Sequence, residues 1–217
     1  MRMRRKPWAR PELDASPIYI KEPLANKGKW KDVFKNKNEI HLELGCGKGS
    51  FIANLASENP DINYIAVDIK SEMLGLTKRN IEREYLSKNL EMENICILAY
   101  DIERILDVFG EEDGIDRIYI NFCNPWPKPR HKKKRLTHER QLEKYIKFLK
   151  KGGEIHFKTD DDGLFKDSLT YFKNLGFDII FETYDLHKEN VKNVMTEHEK
   201  MFSEEGIKIK AVNAKLR

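Results

Sequence analysis

Between residues 40 and 180 short apolar runs alternate with stretches of helical periodicity, and the first run, HLEL, opens straight into a glycine turn, GCGKG, ahead of the next helix. That order leaves few folds open. Strands separated by helices lie mostly parallel, because a parallel neighbour needs a crossover, and the crossover helices then cover the faces of the sheet. Strands are expected at 40–44, 64–68, 95–99, 117–122 and 154–158. The segment 138–150 places Leu142, Tyr145, Ile146 and Leu149 at i, i+3, i+4 and i+7, which predicts a helix closed by Gly152 and Gly153. Leu164, Phe165, Ser168, Leu169 and Phe172 repeat the pattern, and two alternating runs at 177–184 and 207–216 read as a hairpin-type pair completing the sheet. The class is α/β. Residues 1–38, rich in proline and lysine, read as an irregular basic extension, and residues 39–217 as a single domain with no repeat or Gly/Ser linker to divide it.

A chain of 217 residues with 40% hydrophobic content is long enough to bury a core. Its formal net charge of +4 decides little, since the charges are unevenly placed. Arg2, Arg4, Arg5, Lys6 and Arg10 crowd the start, forming either a loose tail or an arm laid on nucleic acid. No apolar stretch follows MRMRR and no run approaches bilayer-spanning length, so a cytoplasmic protein without membrane contact is expected. Cys46, Cys96 and Cys123 lack Cys-x-x-Cys spacing and the histidines lack paired spacing, so neither a disulfide framework nor a metal site is expected.

The glycine turn has the spacing Gly45-x-Gly47-x-Gly49, with Ser50 where a dinucleotide fingerprint would carry its third glycine. Glu43 stands just before it, in the strand. A carboxylate there repels an anionic pyrophosphate and suits a cationic amine, so the loop favours S-adenosylmethionine, with its sulfonium and ammonium, over NAD. Asp68 ends the second strand, about 20 residues on, where a carboxylate accepts from ribose hydroxyls. Asp101, after the third strand, is placed for the adenine or its amino group. Each aspartate alone reads equally as a helix cap or turn residue. Three acidic strand tips on one sheet edge exceed what capping requires, because ligands of open α/β sheets bind at the carboxyl ends of strands.

The run IYINFCNPWPKPRHKKKR at 118–135 discharges a strand into Asn124-Pro125-Trp126-Pro127, a loop that the prolines stiffen, and then into a basic cluster. Lys128, Arg130, His131, Lys132, Lys133, Lys134 and Arg135 suit phosphate oxygens, although a charge run also serves as a plain solvated loop. Trp126 is placed either to pack or to stack on an unpaired base. In HFKTDDDGLF, Asp161 and Asp162 take the cap role more naturally than Asp160, and a carboxylate at such a strand end is a natural partner for guanine N1 and N2 donors. His156, inside a buried-looking strand, reads as a satisfied core histidine, and neither Cys46 nor Cys123 has a base partner for nucleophilic work.

Taken together these residues resemble the bacterial tRNA (guanine-N7-)-methyltransferase family. The resemblance runs over nearly the whole chain: MRMRRKPWA, GKW at 28–30, ELGCGKGSF, NPDINYIAVD, NFCNPWPKPRHKKKRLT, IHFKTDDDGLF, DLH at 185–187 and MTEHE at 195–199. It implies a Rossmann-like class I methyltransferase fold: a mostly parallel seven-stranded sheet, helices on both faces and a C-terminal antiparallel strand. The implied reaction moves the methyl group of S-adenosylmethionine to N7 of guanine 46 in the tRNA variable loop. By the family pattern Glu43, Gly45, Gly47, Asp68, Asp101 and Asn124 meet the cofactor, and Lys128, Asp160, Thr196, Glu197, His198 and Glu199 meet the substrate. Arg130, His131, Lys132, Lys133, Lys134 and Arg135 match its RNA-contacting segment, and Asn124 and Asp160 its catalytic positions.

One departure carries chemical weight. Many members have aspartate where this chain has Asn124, so no carboxylate acid or base stands there. Guanine N7 offers a free lone pair and needs no base, which makes the exchange chemically sound. Two rivals are distinguishable. An amino-group methyltransferase would use an Asn-Pro-Pro-aromatic loop, whereas here a second proline follows Trp126 and lysines continue the run. An RNA-binding scaffold without activity would have no need of Glu43, the glycines and Asp68.

Overall fold

The computed structural model describes residues 6–217, and the chain divides into two compact units, Met1–Val108 and Phe109–Arg217. The first unit contains α1 (Ala9–Asp14), α2 (Trp30–Val33), β1 (Ile40–Leu44), α3 (Ser50–Glu58), β2 (Asn63–Asp68), α4 (Ser71–Ser87) and β3 (Ile95–Ala99). The second contains β4 (Ile115–Asn121), α5 (Glu139–Ile146), β5 (Leu149–Thr159), α6 (Asp162–Asn174), β6 (Phe177–Thr183), α7 (Glu197–Glu204) and β7 (Lys210–Leu216). The seven strands follow the order β3-β2-β1-β4-β5-β7-β6.

In the first unit β1, β2 and β3 pair in parallel, with Leu42 opposite Ile65 and Ile65 opposite Cys96. Every residue of β1 is buried, the polar His41 and Glu43 included, as expected of an inner strand covered on both faces. The N-terminal segment is far less irregular than its composition predicts. Ile97 donates to the Ile18 carbonyl at 2.8 Å and Ile20 donates to the Ile97 carbonyl at 2.9 Å, which adds a short parallel rung along the outer side of β3. Trp30, fully buried, donates its indole N–H to the Val108 carbonyl at 2.9 Å. Buried tryptophan overrides what proline and lysine content suggests. The arginines at positions 2, 4 and 5 lie outside the described residues.

In the second unit β4 and β5 are parallel, and β7 runs antiparallel to both β5 and β6. The two C-terminal runs do pair with each other, but not as a simple hairpin: a 3-10 turn at Leu186–Lys188 and α7 separate them, and β7 inserts between β5 and β6. The helix expected over 138–150 stops at Ile146, and Leu149 already belongs to an eleven-residue strand. Gly152 and Gly153 therefore terminate no helix. Gly152 has φ +76°, and a Cβ on Gly153 would sit 2.8 Å from the Lys150 carbonyl oxygen, so the pair forms a bulge where the β4–β5 register shifts. Among the described residues no helix is long and apolar enough to cross a membrane.

Candidate active site

In the first unit the glycine turn is clamped to α4. Thr77 donates its hydroxyl to the Gly47 carbonyl at 2.8 Å, and Asn80 donates its amide to the Lys48 carbonyl at 2.8 Å. Gly45, Gly47 and Gly49 have φ of 80°, 57° and 75°, values that favour glycine. At Gly49 a Cβ would also lie 2.3 Å from Thr77 Cγ2, so helix and loop touch where no side chain fits. The clamp is itself supported. A Cβ on Gly75 would meet the Ala9 Cβ at 2.8 Å, and Arg79 lies 3.6 Å from the Trp8 ring centroid while pairing with Glu12. Thus the N-terminal helix packs on α4, and α4 fixes the loop. Thr77 and Asn80 escape a reading by motif because they lie some thirty residues downstream of the carbonyls they hold.

Two of the acidic tips, Glu43 and Asp68, lie beside this loop. Asp68 accepts from the Gly47 amide at 3.1 Å and, through its other oxygen, from the Lys70 amide at 2.9 Å. Burial raises the Asp68 carboxyl above its ordinary value, and those two amides oppose the rise. Tyr100 donates its amide to the Asp68 carbonyl at 3.1 Å, which ties the end of β3 to the end of β2. Asp101 follows as the cap of a 3-10 turn at Ile102–Asp107, accepting from Glu103 at 2.9 Å. Glu43 is buried inside β1, and burial followed by the charges of Glu43 and Asp68 pushes the Cys46 thiol well up. Carboxylates beside amides at glycines of positive φ fit a ligand that brings a cation and a diol, as S-adenosylmethionine does.

In the second unit β4 ends at Asn121, the next residue, Phe122, has φ 49°, and the loop then turns at Trp126, with φ 41°. These are conformations that non-glycine residues seldom adopt, held only where surroundings over-determine them. Asn124 is exposed and accepts at Oδ1 from the Trp126 amide at 3.0 Å, closing an Asx-type turn inside the Pro-Trp-Pro frame. Its carboxamide thus shapes the loop. Trp126 meets the His131 ring edge-on at 5.6 Å, and the Lys134 ammonium lies 4.9 Å from the indole centroid. The basic run folds as a 3-10 turn, Pro129–Lys134.

Within that run the positive charges have different surroundings. Lys128, Arg130, Lys133 and Lys134 are exposed. Lys132 pairs with Asp167 at 2.6 Å. Arg135 is turned inward, its side chain 3% exposed, and donates to the Pro125 carbonyl at 2.6 Å and to Asp167 at 2.5 Å. Burial alone would raise the Asp167 carboxyl, but hydrogen bonds from Lys132 and Arg135 hold it below its ordinary value. Arg135 therefore stands as a strut beneath the loop rather than on its outer surface.

In the acidic turn after β5 only one of the two expected caps acts as a cap, and the other forms an ion pair. Asp161 caps α6, accepting from the Leu164 amide at 2.6 Å, and Asp162 pairs with Lys210 at 2.8 Å. The Asp160 carboxylate has no hydrogen bond or ion pair among the described residues, while its backbone carbonyl accepts from Lys210 at 2.8 Å. His156 is indeed satisfied, bonded to Glu154 at 2.7 Å and edge-on to Tyr119.

Glu199 and Thr196 are buried, at 0% and 7%, whereas Glu197 and His198 are exposed. Thr196 and Glu199 form the capping box of α7. Glu199 also accepts from Lys158 at 2.7 Å, from His187 at 2.9 Å and from Asn193 at 2.5 Å, while Lys158 donates further to the Asn193 side-chain Oδ1 at 3.0 Å and to the Val194 backbone carbonyl at 2.9 Å. Burial would raise the Glu199 carboxyl, but the Lys158 ammonium and these hydrogen bonds hold it low. A lysine within the apolar run IHFKT is the sequence signal for such a network, since a buried ammonium needs a carboxylate. His198 stacks on Phe122 at 6.1 Å and touches Phe202 at 6.2 Å, which links α7 to the exit of β4.

Nucleophilic chemistry has no support. Desolvation of its sulfur pushes the thiol of half-buried Cys123 up to about 12, and Cys46 and Cys96 are buried. No cluster of potential metal ligands occurs among the described residues.

A seven-stranded mixed sheet with a clamped glycine turn and acidic strand tips defines a Rossmann-like methyltransferase. A 16S rRNA methyltransferase, KamB, superposes with a TM-score of 0.63 at 12% identity, covering 87% of this chain and 92% of that one. An antibiotic-related methyltransferase superposes with a TM-score of 0.59 at 18% identity, covering 85% and 90%. Residues 37–212 match the family model described as a putative methyltransferase. The tRNA (guanine-N(7)-)-methyltransferase of Clostridium beijerinckii is 62% identical over 211 residues, 97% of this chain and 96% of the relative. That of Ruminiclostridium cellulolyticum is 57% identical, covering 100% and 93%. The chain belongs to the tRNA (guanine-N(7)-)-methyltransferase family.

Proposed function

We propose that the chain methylates N7 of guanine 46 in the variable loop of tRNA, with S-adenosylmethionine as donor. Residues 39–217 form the methyltransferase domain on this reading, the segment before them is its basic extension, and the setting is the cytoplasm. When bound, the cofactor supplies an electrophilic methyl on a sulfonium; the N7 lone pair forms the new C–N bond, the C–S electrons return to sulfur, and no proton leaves N7. Glu43 faces the cationic end of the donor, Asp68 accepts from the ribose hydroxyls, and Asp101 meets the adenine side. The amides of Gly45 and Gly47 allow close approach of the ligand to the backbone.

The observation that carries the base-free reading is Asn124: a neutral side chain, with its oxygen bonded to the Trp126 amide, stands where a general base would otherwise be sought. Holding donor and acceptor in line supplies the rate instead, an effect worth roughly 7–11 kcal/mol. Methylation leaves a positive charge on the purine, and the Asp160 carboxylate, which also accepts from guanine N1 and N2, offsets it. Lys128 and the exposed members of the 130–134 run hold phosphates, and Arg135 keeps the loop in place from below. Glu197 and His198 are the accessible substrate contacts of their turn, with Thr196 and Glu199 ordering it.

Incubating the protein with unmodified tRNA and methyl-labelled donor, then cleaving chemically at 7-methylguanosine, tests the reading. A single cut at guanine 46 is expected. Label on an exocyclic amine would favour the amino-group mechanism, and absence of label would leave only a binding protein.

A further inference from the structure

Residues 27–37, KGKWKDVFKNK, carry five lysines against one aspartate, and all five lysines are exposed. The segment is anchored, not loose. Trp30 is fully buried and bonded to the Val108 carbonyl, Phe34 is 6% exposed, Lys27 donates to the Leu106 carbonyl at 2.6 Å, and Asn36 donates to Asn63 at 3.1 Å. Several lysines elsewhere in the chain, though not all, pair with carboxylates: Lys78 with Glu82, Lys88 with Glu84, Lys150 with Asp116. Lys29, Lys31, Lys35 and Lys37 have no ion-pair partner among the described residues. Lys35 moreover has φ 53°, in the left-handed region just past the end of α2, where glycine or asparagine fits more easily. A rigid surface that keeps four unneutralised ammonium groups, one on strained backbone, repels itself unless a polyanion meets it.

We propose that residues 27–37 form a second RNA-contacting surface that grips the sugar–phosphate backbone of tRNA; the proposal rests on the tRNA reading given above. Both aromatic rings of the segment, Trp30 and Phe34, are buried, so nothing in it stacks on bases. Lysine ammonium groups act as point charges toward phosphate rather than as paired donors to base edges. The surface therefore binds helical RNA without reading its sequence, and it supplies affinity rather than chemistry.

The test compares the full-length protein with K29Q/K31Q/K35N/K37Q, using direct tRNA binding across a salt series together with steady-state kinetics. Removing four phosphate contacts lowers the slope of log K against log salt by about three. At moderate salt KM for tRNA rises about tenfold or more by the same counterion argument, equally for tRNAs of unrelated sequence, with kcat and cofactor affinity unchanged. The matching lysine-to-arginine set restores wild-type binding. A folded variant with the wild-type slope and KM overturns the proposal even while wild-type protein methylates tRNA. Wild-type protein that fails to methylate tRNA instead removes the functional reading, and the slope still reports on the surface because binding is measured without turnover. Should the fourfold variant fold poorly, K29Q/K31Q and K35N/K37Q carry the same comparison, each with about half the effect on slope.

Discussion

The glycine loop of the first unit and the Pro-framed loop of the second solve the same problem, holding irregular backbone still, by opposite means. The first uses backbone: glycines at positive φ, amides donated to Asp68, and carbonyls held by Thr77 and Asn80. The second adds charge to its Asn124 turn: Arg135 bonds the Pro125 carbonyl and, with Lys132, converges on Asp167, and in the same unit Lys158 and Glu199 hold the start of α7 in the same way. A loop built from backbone geometry tolerates changes of charge and fails on added volume. A loop built on buried ions does the reverse, because one removed partner leaves the other charge stranded.

The largest effect expected from this contrast is at Lys158. Lys158→Met leaves Glu199 buried without its ammonium and destabilises the fold by about 3–5 kcal/mol, read as a lower denaturant midpoint. Pairing it with Glu199→Gln recovers a large part of that loss, and additive losses in the double variant would show the two residues do not act as a pair. Next in size, Asp160→Ala lowers kcat/KM by about 100-fold or more while leaving stability unchanged, since its carboxylate supports nothing in the fold. A drop of less than about fivefold would remove charge offset from the mechanism.

In the first unit Gly49→Ala introduces strain at φ +75° and a contact with Thr77, and weakens cofactor affinity, read by calorimetry, without altering tRNA binding. A smaller effect is titratable. The hydrogen bond from His156, then the charge of Arg117, hold the Glu154 carboxyl at about 2 against an ordinary 4.5. A depressed carboxylate contributes stability that is present above its unfolded value and lost as pH falls through about 2. The thermal midpoint should fall over that window, and Glu154→Gln should flatten the slope there.

The same contrast explains what was legible in the sequence. β1 and β3 have the bounds that their apolar runs indicate, and the glycine turn and acidic tips declare themselves because local backbone needs have local signatures. The Gly152–Gly153 bulge was not legible, since Leu149 continues a helical period across the chain reversal and a glycine pair marks a helix end as readily as a bulge. Nor was the inward turn of Arg135, which nothing within a basic run distinguishes from its neighbours until Asp167, on another helix, is seen beside it. The burial of Thr196 and Glu199 was written only as a capping-box spacing, and the lysine within IHFKT was its one distant hint.

The smallest expected change bears most on mechanism. Asn124→Asp should retain or raise activity, because the Asx-type turn survives and N7 needs no base. The most direct test is therefore the single-turnover rate of methyl transfer, at saturating donor and tRNA, from about pH 6 to about pH 9 in wild-type protein and Asn124→Asp. The account predicts a rate flat with pH in both. A wild-type rate rising about tenfold per pH unit below a plateau would reveal a general base and contradict it.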